Sequence, residues 1–72
     1  MKRQFLVVIE KANKNYSAYS PDLPGCIATG KTKVEVEQNM KEAVEMHIRG
    51  LQGDGLPVPH SSASAEYVSV GV

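Results

Sequence analysis

The sequence carries one cysteine and no net charge, with eight Lys and Arg balanced by eight Asp and Glu over 72 residues. It also lacks any long apolar run. Each shortage excludes something. A lone thiol, Cys26, forms no internal disulfide, and without a secretory leader pattern at the N-terminus the expectation is a cytoplasmic protein with that thiol reduced. The longest unbroken apolar run is Phe5-Leu6-Val7-Val8-Ile9, against the ~20 residues needed to cross a bilayer, so no membrane partner is expected. Zero net charge argues against direct nucleic-acid binding, because that affinity rests on clustered Lys and Arg releasing counterions from phosphates. No glycine-rich dinucleotide or phosphate loop and no nucleophile elbow occurs. A chain of this length buries only ~60% of its unfolded surface, so its core is thin unless a partner adds to it.

What is present reads as an α+β domain spanning residues 1–72 in the order β, β, β, α, β. Residues 3–11 are apolar at both parities, with Phe5, Val7 and Ile9 on one side and Leu6 and Val8 on the other, as in a strand covered on both faces. The polar Lys11-Ala12-Asn13-Lys14-Asn15 stretch reverses the chain into a second strand over 16–20, which Pro21 ends. Pro24 and Gly25 then form a turn that leads to a third strand over 26–29. Thr32 and Glu35 have capping-box spacing and open a helix over 33–51. Its apolar stripe is Val36, Met40, Ala43, Val44, Ile48 and Leu51, with Glu37, Lys41, Glu45 and Arg49 paired at i,i+4 outside and Val34 off the stripe. Pro57 and Pro59 sit in a connector, and the alternation of Val68, Val70 and Val72 predicts a fourth strand over 66–72. A right-handed crossover through the helix lays that strand parallel to the first. The expected sheet is therefore small, twisted and mixed, with order 3-2-1-4 and one amphipathic helix on one face.

One helix covers one face, so Leu6 and Val8 require another cover. They are the expected interface with a second copy, as a homodimer or homotetramer, or with a different protein. Tyr16 and Tyr19, three apart, fall on opposite faces, one under the helix and one outward.

Chemistry-bearing clusters are sparse. His47, His60 and Cys26 lie on three different elements with no ligand spacing, so neither metal nor cofactor is expected, and Cys26 reads as a core residue. A metal-dependent nuclease needs converging carboxylates, and Glu10 and Asp22 are the only strand-borne candidates, each with an ordinary role at a strand end or in a turn. Lys2, Arg3, Lys11, Lys14, Lys31 and Lys33 gather in the first half as solvated strand termini, with no aromatic platform beside them.

The run Tyr16-Ser17-Ala18-Tyr19-Ser20-Pro21-Asp22-Leu23-Pro24-Gly25-Cys26, then Gly30, Thr32 and Glu35, and the post-helix Asp54-Gly55-Leu56-Pro57-Val58-Pro59 together resemble the HicB antitoxin family. The resemblance implies a degenerate, partial RNase H-like fold. It also implies a non-enzymatic antitoxin of a type II toxin-antitoxin pair, which occludes a HicA-type toxin, a ribonuclease that cleaves messenger RNA. Most matching positions are architectural. For the toxin contact the expectation falls on Tyr19, Asp22 and Leu23, which a proline-bracketed loop presents at low ordering cost. Family members often carry a DNA-reading domain after this one; the expectation here is a stand-alone domain without that extension. The alternatives are a solitary oligomeric module that binds a small ligand or a regulatory protein, and a residual metal-dependent RNase H-like nuclease.

Overall fold

The computed structural model describes residues 3–72, so Met1 and Lys2, the latter one of the six clustered basic residues, lie outside it. Its elements are β1 (Val8–Lys11), β2 (Tyr16–Tyr19), β3 (Ile27–Gly30) and α1 (Lys33–Gly53). This is the expected α+β class. The three strands form one antiparallel sheet in the order β1-β2-β3. Between β1 and β2, the amide of Ala12 donates to the carbonyl of Asn15 at 2.8 Å, which closes the hairpin in the Asn-rich turn.

Register sorts the side chains into rows, because residues directly opposite on neighbouring strands share a face. Ile9, Ala18 and Ala28 form one row, and all three belong to or pack on the core beneath α1. Lys11, Tyr16 and Gly30 form a second row at the same face, with Tyr16 against the core. The core itself is small: Ala18, Leu23, Cys26, Val36 and Met40 are buried.

The helix begins where the capping pattern places it. The Glu35 amide donates to Thr32 Oγ1 at 3.0 Å, and the Lys31 amide donates to Glu35 Oε1 at 3.3 Å, so two otherwise unpaired donors are satisfied. The first turn lies directly on β3. A Cβ placed on Gly30 would stand 2.6 Å from the Val36 nitrogen and 2.9 Å from the Val36 Cα, so only glycine admits this approach. Asn39 Nδ2 adds a clamp, donating to the Thr29 carbonyl at 2.8 Å. Val36 and Met40 are buried, whereas Ala43, Val44, Ile48 and Leu51 further along the stripe are only half-buried. The reason is length. Twenty-one helical residues rise ~30 Å while four-residue strands reach ~13 Å, so the second half of α1 overhangs the sheet.

Two expectations are corrected here. The first strand is shorter than 3–11: regular pairing starts at Val8, opposite Tyr19, because β2 offers four residues before Ser20 and Pro21 break it. The fourth strand over 66–72 does not form; those residues are exposed and irregular, so the described sheet has three strands and is antiparallel rather than mixed in the order 3-2-1-4. Alternation makes a segment fit to be a strand, but the pairing partner is not written in it.

Candidate functional site

The face of the sheet turned away from α1 carries one apolar row. Val8 stands opposite Tyr19 and Tyr19 opposite Ile27, so three side chains from three strands lie side by side. Val8 is half-buried, Tyr19 is 42% exposed and Ile27 is 69% exposed. The next row, Glu10, Ser17 and Thr29, is polar. An apolar strip with a polar row beside it has the anatomy of a protein-docking surface: aromatic and aliphatic anchors at the centre, hydrogen-bonding groups at the rim. Leu6 is half-buried and precedes β1 at the parity of Val8. The structure thus brings Tyr19, expected at the partner contact, together with Val8, expected at a copy-to-copy interface. Ile27 completes the row. Sequence reasoning passed it over because Cys26-Ile27-Ala28-Thr29 is too short for its parity to declare a face.

The loop between β2 and β3 separates the other two expected contact residues. Leu23 is fully buried, and this corrects its reading as a partner contact. Two successive turns explain it: the Leu23 amide donates to the Ser20 carbonyl at 3.1 Å, and the Cys26 amide donates to the Leu23 carbonyl at 3.0 Å. The loop folds inward between them, with Gly25 at φ 82° completing the reversal. Leu23 is therefore a core anchor. Asp22 stays half-buried at the surface, and its carboxylate is occupied: it accepts from the Ser62 amide at 3.2 Å, the Ser62 hydroxyl at 3.1 Å and the Ala63 amide at 3.2 Å. Its role in this structure is to pin the post-helix chain to the loop.

Glu10 and Asp22 do not converge. Glu10 faces Ser17 within the strands, whereas Asp22 lies in the loop past the end of β2, and no group of three or more His, Cys, Asp and Glu side chains able to hold a metal occurs among the described residues. Burial pushes the Cys26 thiol above its usual pKa, which keeps it protonated and unreactive at neutral pH. His47 is half-buried on the helix flank. No described helix is long and apolar enough to cross a membrane.

On the helix side, a groove of about 550 Å³ runs between α1 and residues 3–9, lined by Phe5, Val7 and Ile9 on one wall and Met40, Val44 and Ile48 on the other. Arg3, Glu37, Lys41 and Glu45 also line it.

A three-stranded antiparallel sheet with one helix-covered face, and an apolar row and groove left open, defines a small α+β domain with two apolar surfaces exposed. Among known proteins, the model for the HicB-like antitoxin of bacterial toxin-antitoxin systems matches residues 5–70, and the chain belongs to this family. It is similar to a 14.9 kDa protein from the rep-hol intergenic region of Haemophilus phage HP1, with 38% identity over 63 residues, covering 88% of this chain and 47% of the relative. It is also similar to a UPF0150 protein of Helicobacter pylori, at 43% identity over 49 residues and 68% of each chain, and to one of Thermoplasma acidophilum, at 36% over 61 residues, covering 83% of this chain and 88% of the relative. In structure it resembles a chain of the HicA3 and HicB3 toxin-antitoxin complex, with TM-score 0.62 and 32% identity over 75% of this chain and 66% of that one. The chain thus spans about half the length of the phage relative and 66% of the complex's chain.

Proposed function

We propose that this chain binds a HicA-type ribonuclease toxin through the Val8, Tyr19 and Ile27 row and silences it by occlusion. The observation that carries the reading is the likeness, at 32% identity, to a chain from a solved HicA3 and HicB3 complex, combined with family membership across residues 5–70. Antitoxin membership points to regulation rather than catalysis, and occlusion asks nothing of a catalytic group. A rigid surface that covers the toxin's active site lowers free ribonuclease by mass action. Row and rim suit that task. Tyr19 offers a large ring with few rotatable bonds, so docking it loses little side-chain freedom. The antiparallel ladder on either side holds its position, so the surface is pre-organised and the cost of association falls.

The test is calorimetric titration of the purified cognate toxin with this chain and with Tyr19→Asp. A charge at the centre of an apolar contact costs ~2 kcal/mol or more, so affinity falls at least ~30-fold while the helical circular dichroism is retained. Unchanged affinity in a folded Tyr19→Asp protein would place the toxin elsewhere; absence of binding by the parent chain would leave the solitary oligomeric module as the better reading.

A further inference from the structure

Residues 66–72 and the open groove beside β1 are complementary. The segment alternates Val68, Val70 and Val72 with Tyr67, Ser69 and Gly71, and every one of its residues is exposed, Tyr67 and Val72 fully so. The groove wall alternates in the same way, with Phe5, Val7 and Ile9 turned inward. Three valines at i, i+2 and i+4 match three inward side chains at the same spacing. β1 offers the backbone as well, since its edge opposite β2 has no described strand against it. An unpaired edge beside an apolar groove is a template for strand addition.

The geometry points to a second copy of this chain as the occupant: residues 66–72 of each copy add to the β1 edge of the other and seat Val68, Val70 and Val72 against Phe5, Val7, Met40 and Val44. Three observations favour exchange over folding back. Asp22 fixes Ser62 and Ala63 at the β2–β3 loop, and beyond that anchor residues 66–72 are exposed rather than seated in the groove of their own chain. Pro57 and Pro59 stiffen the connector that leads there. The chain is more extended than a compact one of its length: the radius of gyration is 14.0 Å, against ~11 Å, and the principal extents are 49 × 27 × 21 Å.

Exchange closes on itself. Each copy gives one segment and receives one, which is the isologous arrangement of a two-fold dimer. Side chains of the other parity follow: with the valines inward, Tyr67 and Ser69 face outward beside Leu6 and Val8, which narrows the exposed apolar margin of β1. The exchange leaves Tyr19 and Ile27 free and is independent of any toxin.

The test begins with light scattering on the full chain. A mass of twice 7.8 kDa is expected, and a monomer at high protein concentration overturns the proposal. Removal of residues 66–72, or Val70→Lys where the shortened chain fails to fold, should give a monomer with its helical circular dichroism kept. A dimer of undiminished affinity in a folded variant means that copies meet elsewhere and overturns the proposal. Finally, Val7→Cys with Val70→Cys in a Cys26→Ala background is oxidised. A covalent dimer on denaturing gels is expected, and a link within one chain shows that the segment folds back on its own body, which also overturns it.

Discussion

Replacing Gly30 by alanine probes the joint between sheet and helix. The added methyl would lie 2.6 Å from the Val36 nitrogen and 2.9 Å from its Cα, distances that Cβ atoms do not sustain, and both obstacles are backbone. No rotamer relieves the clash, so the first turn of α1 must lift. Lifting it draws Val36 and Met40, two of the five buried apolar residues, out of contact with Ala18 and Leu23, and loosens the Thr32 cap. Overpacking costs ~1–3 kcal/mol and a lost cap ~1 kcal/mol, so ~2–4 kcal/mol is expected. A 72-residue domain has roughly 4–11 kcal/mol in total, and each kcal/mol moves its Tm by ~4–8 °C. The thermal midpoint followed at the helical circular dichroism signal should therefore fall by at least ~8 °C. Gly50 supplies the opposite sign within the same helix. Nothing lies within 4 Å of a Cβ there, so Gly50→Ala should raise stability by ~0.5–1 kcal/mol through helix propensity alone. A Gly30→Ala protein as stable as the parent would refute the close packing of α1 on β3.

Other expectations concern the loop. Leu23→Ala should cost ~2–5 kcal/mol of folding stability by chemical denaturation, because a fully buried side chain leaves a cavity; a loss below ~0.5 kcal/mol would return Leu23 to the surface. Asp22→Ala should speed amide exchange at Ser62 and Ala63 while costing only ~1 kcal/mol globally, as the three bonds are largely solvent-facing. Cys26 should resist alkylation at neutral pH in the native protein and react quickly in denaturant. Its raised thiol pKa also has a sign. Stability from the protonated thiol is complete below the ordinary thiol range and declines as pH rises through the folded value, so alkaline pH should destabilise the parent more than Cys26→Ala.

The helix and its cap were legible because they are local. Thr32 and Glu35 are three residues apart, and the stripe from Val36 onward repeats at helical spacing, so the expected 33–51 differs from Lys33–Gly53 only at its C-terminal end. The Pro24-Gly25 turn, and Tyr16 and Tyr19 on opposite faces, were legible for the same reason. What the pattern left unread is pairing at a distance. Leu23 looks like a surface loop residue because the two turns that fold it inward depend on carbonyls that local propensity does not assign. Asp22 looks free because its partners are 40 and 41 residues away. Residues 66–72 alternate like a strand, yet alternation carries no information about which edge, in which copy, receives them. The Val8, Tyr19 and Ile27 row is likewise a property of register, which appears only once three strands are aligned.

In the proposed complex, the outer face of the sheet is where this antitoxin-family domain meets a toxin. Titration of the cognate toxin's RNA cleavage with the parent chain, Tyr19→Asp and Ile27→Asp tests it most directly. The parent is expected to abolish cleavage at stoichiometric addition, and each folded variant to bind the toxin at least ~30-fold more weakly and need correspondingly more protein, as ~2 kcal/mol lost per anchor requires. Full inhibition by both variants at the parent's stoichiometry would contradict it.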